Sequence, residues 1–277
     1  MNENVYSTTH EKAEINSLNS QERNRGWWEQ LPMTYADWES EDRVPRTRDD
    51  FERINAAYLD ANLWLKEHFD FAALSGKRVL EIGCGAGSAA CILAMAGAHV
   101  TAIDLTEKAV EIARENARVQ GLSDIAILRM DAEQMEFANN AFDYAYSWGV
   151  IHHSNAPEQI FAQIARVLRS SGRGLIMVYN RQSLRYWLKG IYWLLVKRKL
   201  FEGESLTSVQ RFFTDGYFHK HYSTRELKQL LTPLGLTDFR VSVSHMAKQM
   251  IPGLPRALDE MLKRRYGWLL IIEFRKG

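Results

Sequence analysis

The chain has 277 residues, of which 46% are hydrophobic and 25% charged, and this excludes extensive disorder while leaving enough apolar material for a sizeable core. Lys plus Arg is 35 and Asp plus Glu is 34, a net charge of +1 that removes any global electrostatic reason to bind nucleic acid. At roughly 150 residues per domain, the length suits one large domain or a domain carrying a cap.

Residues 1–25 are polar, lack the apolar core of a signal peptide, and are expected to be a mobile tail. Residues 26–70 are expected to form a helical cap. It opens on GWWEQLPMTYADW, where Trp27, Trp28, Met33, Tyr35 and Trp38 are too apolar for a free tail. It continues in a helix from about Arg48 to Phe69, with Phe51, Ile54, Tyr58 and Leu65 near helical spacing.

The main domain is expected over residues 71–277. KRVLEIGCG reads as a strand entering a glycine turn, GSAACILAMAGA as a helix ending at Gly97, and HVTAID as a second strand. A helix follows, with Thr106 as N-cap and Gly121 as its terminator. IAILRMD, AFDYAYSW and RGLIMVYN read as three more strands, with the helix PEQIFAQIARVLRS before the last. Strands alternating with helices of this length imply crossovers onto a parallel sheet covered on both faces. The alternation breaks after Asn180, and a lid-like insertion is expected over about 181–222. LTDFRVSV and WLLIIEFRK read as closing strands. No stretch approaches the roughly 18 apolar residues of a membrane span. Cys84 and Cys91, one in the glycine loop and one in the next helix, read as reduced thiols of a cytoplasmic protein.

VLEIGCGAG places Glu81, Gly83, Gly85 and Gly87 at alternate positions across a strand-to-helix turn. Glycines there permit positive φ and a close ligand approach, and the helix N-terminus offers free N–H groups. The loop alone would serve NAD, a flavin or another nucleotide. Two acids narrow the choice. Asp104 ends the second strand, where a carboxylate can accept from ribose hydroxyls. Asp131 ends the third in RMDAEQMEF, where it can accept from an adenine amine while the Ala132 N–H donates to a ring nitrogen.

ExGxGxG, Asp104, DAE, SWGVIHH and VLRSSGRGLIMVYN together resemble a class I S-adenosylmethionine-dependent methyltransferase, closest to the small-molecule branch called methyltransferase type 11. The resemblance covers about residues 77–180. It implies an α/β Rossmann-like, doubly wound, seven-stranded and mostly parallel sheet whose last strand is antiparallel. It also implies S-adenosylmethionine as cofactor, S-adenosylhomocysteine as product, and in-line methyl transfer to a small molecule, aromatic or lipid-like. Carried onto this chain, Glu81, Gly83, Gly85 and Gly87 would cradle the methionine part. Asp104 would hold the ribose, Leu105 would pack on the adenine, and Asp131 and Ala132 would take its edge. Ser147 and Trp148 would line the methyl side.

An oxygen or nitrogen acceptor also invites a base. His152 and His153 follow the fourth strand at the mouth of the sheet, and Tyr222 is a third candidate catalytic group. Tyr35, Arg185, Tyr217 and His221 are candidate substrate contacts. The four histidines 152, 153, 219 and 221 lack a clear carboxylate, so no metal is expected. The insertion carries Leu184, Trp187, Leu188, Ile191, Leu194 and Leu195 along one side, flanked by Arg185, Lys189, Lys197, Arg198 and Lys199. It reads as a lid, as a peripheral membrane contact through residues 184–201, or as a dimer contact. The rivals are a nucleic-acid or protein methyltransferase and a nicotinamide oxidoreductase. Against the first, the place of an amine-binding D/N/S-P-P-Y/F turn reads SWGV. Against the second stand the loop spacing and Asp131.

Overall fold

A computed structural model describes residues 20–30, 45–214, 216–246 and 253–277. The sheet contains β1 (Arg78–Ile82), β2 (His99–Asp104), β3 (Ala126–Arg129), β4 (Phe142–Trp148), β5 (Leu168–Asn180), β7 (Leu236–Ser244) and β8 (Leu269–Lys276), in the spatial order β3-β2-β1-β4-β5-β8-β7. The pairs from β3 to β5 are all parallel, and β8 is antiparallel to both of its neighbours. The Rossmann-like sheet with an antiparallel last strand is therefore present. An eighth strand, β6 (His221–Tyr222), is an addition to the expected seven. It pairs with Tyr179 and Asn180 of β5 beyond Met177, the last residue that β4 reaches.

The strands bury both faces. Along β8, Leu269 and Ile271 join one core layer while Leu270 and Ile272 join the other. This period of two explains why strands of this kind are apolar throughout. Helices α4 (Ser88–Met95) and α5 (Glu107–Gln120) cover the first layer, with α6 (Pro157–Val167) and α8 (Thr224–Leu231) on the second. Their ends are set locally. Thr106 accepts from the Ala109 N–H, Gly121 takes the left-handed conformation at φ 76°, and Ser223 forms a capping box with Glu226. Strand order reverses between β1, which continues to β2, and β4. That reversal opens a crevice at the strand ends.

Four features differ from or add to these expectations. The polar tail ends before residue 25, because α1 (Ser20–Gln30) is helical. The helix over 48–69 is two helices, α2 (Arg48–Ala61) and α3 (Leu63–His68). Asn62 separates them at φ −118° and ψ 60°, its amide donating to the Tyr58 carbonyl at 2.8 Å and so competing with the helical ladder. A further helix, α9 (Arg256–Tyr266), stands between the closing strands. Finally, the insertion begins as α7 (Leu184–Ile191), continues in a π turn over Tyr192–Val196, and turns back through Arg198 and Gly203, both at positive φ. Its apolar side faces outward. Among the described residues, no helix is long and apolar enough to cross a membrane.

Candidate active site

The ends of β1, β2, β3 and β4 meet at one cavity. Its first wall comes from the glycine loop and the two acidic turns. Gly83 takes φ +78°, and a Cβ there would lie 2.1 Å from Val150 Cγ2, so only glycine fits. Asp104 Oδ2 accepts from the Gly85 N–H at 3.0 Å, and its Oδ1 accepts from Thr106 N–H and Oγ1–H at 3.0 and 2.9 Å. Three of about four lone-pair positions are thus used, leaving room for one further donor. Burial, above all, raises the Asp104 pKa, while those hydrogen bonds oppose the rise.

Glu81 is 97% withdrawn from solvent yet lines the cavity, and its Oε2 has no hydrogen-bond partner. Burial and the neighbouring Asp104 push its pKa well above the ordinary carboxylate range. A buried, unpartnered carboxylate oxygen is costly unless a donor or cation meets it. Asp131 accepts from the Glu133 N–H at 2.9 Å and, through both oxygens, from the Gln21 amide at 3.0 and 2.9 Å. Gln21 Oε1 is itself buried and unpartnered. Glu133 accepts from Ser154 Oγ–H at 2.6 Å and the Ala156 N–H at 3.1 Å, tying the DAE turn to the loop after β4.

The second wall is aromatic and thioether-rich. It comprises Trp28, Tyr58, Trp148, Met177, Tyr179 and Met246, with Asn62 and His153 as polar members. The Trp148 indole N–H donates to Asn62 Oδ1 at 2.8 Å, and the Tyr58 and Tyr146 hydroxyls meet at 2.5 Å. His153 Nδ1 lies 2.8 Å from the Phe218 carbonyl. A carbonyl only accepts, so that nitrogen carries the proton and Nε2 keeps its lone pair. Burial, chiefly, lowers the His153 pKa to about 4, so the ring is neutral at physiological pH. Trp28 packs edge-on against it at 4.9 Å.

Glu81, Gly83, Gly85, Asp104, Leu105, Asp131, Ala132, Trp148 and His153 line this one cavity. Other sequence candidates do not. Gly87 sits at the start of α4, where a Cβ would fall 2.9 Å from the Ala113 Cα, so its smallness serves the packing of α4 on α5. Ser147 is buried, and its hydroxyl donates to the Ile82 carbonyl. His152 is fully buried behind His153, 3.9 Å from the Tyr179 ring, with neither nitrogen partnered. Tyr222 lies inside the second core layer with Leu227 and Leu231. His221 packs between Tyr186 and Trp268, Arg185 lies over the Trp268 ring, and Tyr217 is half exposed beneath Arg23. Tyr35 lies outside the described residues. Gln21, Trp28, Tyr58, Asn62, Met177, Tyr179 and Met246 were not candidates from sequence. Only Tyr58 and the aromatic pair at 27–28 carried any signal: helical spacing for Tyr58, and for Trp27 and Trp28 a segment too apolar to be free, suited equally to covering a cofactor or an apolar edge. No group of three or more His, Cys, Asp or Glu side chains suited to a metal occurs among the described residues.

Residues 80–176 match the family model described as a methyltransferase domain. That segment, about a third of the chain, is similar to a methyltransferase domain. The cofactor that this similarity implies is S-adenosylmethionine. The orphaned Glu81 oxygen suits an ammonium group, and the acceptors of Asp131 and Gln21 suit an aromatic amine, so the residues present fit that molecule.

Among curated relatives, a ubiquinone biosynthesis O-methyltransferase of Aromatoleum aromaticum is 34% identical over 134 residues, which are 48% of this chain and 54% of the relative. An S-adenosyl-L-methionine-dependent Diels-Alderase of Talaromyces variabilis is 35% identical over 111 residues, 39% of this chain and 38% of the relative. The chain spans about half the length of the first curated relatives it matches. A solved structure of an S-adenosylmethionine-dependent methyltransferase from Mesorhizobium loti superposes with a TM-score of 0.52 at 20% identity, covering 73% of this chain and 92% of that one. At that identity the likeness concerns the fold, which this chain shares.

Proposed function

We propose that this protein transfers the methyl group of S-adenosylmethionine to a small, apolar or planar acceptor, with residues 71–277 forming the catalytic domain and residues 26–70 the cap. The observation that carries the reading is the pairing of two unlike walls in one cavity: buried acids on one side, and aromatic and thioether side chains around one neutral histidine on the other.

When bound, the cofactor supplies an electrophilic methyl on a sulfonium, a leaving group that needs no proton from the protein. Glu81 would meet the ammonium, Asp104 one ribose hydroxyl, and Asp131 with Gln21 the adenine amine, while the backbone at Gly83 and Gly85 permits close approach. Trp28, Tyr58, Trp148 and Tyr179 would hold a flat or apolar acceptor and exclude water from the line of attack. His153 Nε2 would accept a hydrogen bond from the acceptor's O–H or N–H, turning a lone pair toward the methyl. With a pKa near 4 it is a weak base, so positioning exceeds proton removal in its contribution.

A lipid-like acceptor would reach this cavity from a membrane surface, and residues 184–201 are the part of the chain suited to meet one. The free thiols of Cys84 and Cys91 support a cytoplasmic setting, and the near-zero net charge argues against nucleic acid as partner. Calorimetric titration with S-adenosylmethionine, S-adenosylhomocysteine and NADH, followed by transfer of labelled methyl to phenolic, amine and lipid acceptors, tests the proposal. Binding of the two sulfur compounds with label in one acceptor class supports it. Binding of NADH alone overturns it, and cofactor binding without transfer to any acceptor class overturns the assigned reaction.

A further inference from the structure

Exposed apolar residues on a folded surface are normally scattered, whereas a contiguous patch marks an interaction site. Among the described residues, fourteen large hydrophobic side chains are exposed, and eight of them fall between residues 187 and 201. Leu188, Leu195, Val196 and Phe201 are between 60 and 79% exposed.

The segment is not loosely attached. One side of it is anchored: the Tyr186 carbonyl accepts from the Gln210 amide, Trp193 stacks on Phe212 at 4.8 Å, and Gly190 lies so close to Leu206 that a Cβ would sit 2.5 Å from its Cδ1. Positions 186, 190 and 193 make that inner side. Positions 187, 188, 191 and 195 make the outer one, and it too is apolar. A helix apolar on both sides is a buried or membrane-contacting helix. Here the protein covers only one side.

The charge of the segment indicates what covers the other. LRYWLKGIYWLLVKRKLFEG, residues 184–203, holds five cations and one acid, a formal +4, while the whole chain is +1, so the remainder is −3. Lys199 pairs with Glu202. Lys197 and Arg198 are exposed at the turn after the π segment, and neither makes an ion pair among the described residues. A second copy meeting this face across a two-fold axis would set +4 against +4. An anionic lipid surface is complementary, and Trp187 and Tyr192 are the residue types that settle at a lipid–water boundary.

We propose that residues 184–203 form a rigid interfacial foot that docks on an anionic lipid bilayer, with the outer apolar side in the headgroup boundary and Lys197 and Arg198 on the lipid phosphates. The foot stands beside the site. Tyr186 packs on His221 at 4.9 Å, His221 on Tyr179 at 5.7 Å, and Tyr179 lines the cavity. The docking does not depend on the identity of the reaction.

The test uses the full chain and sedimentation with vesicles of phosphatidylcholine alone or mixed with phosphatidylglycerol. The expected result is binding to the mixed vesicles, weakened by salt, with much less on the neutral ones. L188S/V196S/F201S and K197E/R198E should each lower partitioning by about ten-fold or more while calorimetric cofactor affinity stays unchanged. Loss of cofactor binding by the native chain would strike the proposed reaction and leave the vesicle result standing. No binding of the native chain to anionic vesicles overturns the docking proposal, as does equal binding by both variants. Sedimentation equilibrium showing a native dimer that the triple serine variant dissolves also overturns it, because the occupant is then a second copy.

Discussion

The two walls of the cavity are built in opposite ways. The wall proposed to hold the cofactor comes mainly from residues 81–132, three successive strand ends whose turns hold one another through Asp104, Asp131 and the backbone. The wall proposed for the acceptor gathers side chains from Trp28 to Met246, held by long-range contacts such as Trp148 to Asn62 and His153 to the Phe218 carbonyl. Backbone geometry dictates the first wall, and side-chain convergence dictates the second. Damage to the first should therefore appear in cofactor affinity, and damage to the second in turnover.

The largest expected effect is from Gly83→Ala, which places a Cβ against Val150 at positive φ. Calorimetry should show cofactor affinity down about 100-fold, in keeping with a few kcal/mol of strain. Affinity within two-fold of the native chain would show that the loop yields freely. Asp104→Ala removes the acceptor of the Gly85 N–H in the glycine loop and of both Thr106 donors, and should cost about 30-fold in affinity. His153→Ala should lower kcat about ten-fold and leave cofactor affinity intact. Equal losses in both would erase the distinction between the walls.

The histidines at and behind the second wall also carry an acid-sensitivity that the first wall does not share. Burial lowers the pKa of His153 to about 4 and of His221 to about 3, and holds that of His152 well below its ordinary value. A depressed folded-state pKa means that the unfolded chain takes up protons first. Stability from these groups is complete above about pH 6.5 and is lost as pH falls through 6.5 toward 4. Thermal unfolding should show a Tm lower by about 5 °C or more at pH 5 than at pH 7. An unchanged Tm would mean that the cluster opens to solvent. The smallest effect belongs to Gln21→Ala, which removes one hydrogen-bonding side chain beside Asp131. It should weaken cofactor affinity about five-fold and leave kcat unaltered.

The amino-acid sequence by itself determined the alternation of elements, the glycine loop, and the acids at the ends of β2 and β3. Each of these is a local matter: a glycine at positive φ, a capping hydroxyl, or a strand buried on both faces writes its own pattern over a few neighbouring residues. The break at Asn62, the short strand β6 and the helix α9 were not legible, because a side chain competing for a carbonyl or a two-residue pairing leaves no periodic trace. Tertiary structure alone decided which of the histidines and tyrosines face the cavity. His152 and His153 are adjacent in sequence, yet one is sealed against Tyr179 and the other lines the site. Tyr222, equally suited by chemistry, closes a core layer instead. The outward face of α7 was decided the same way, since the sequence shows an apolar stripe and only packing determines which apolar side the protein covers.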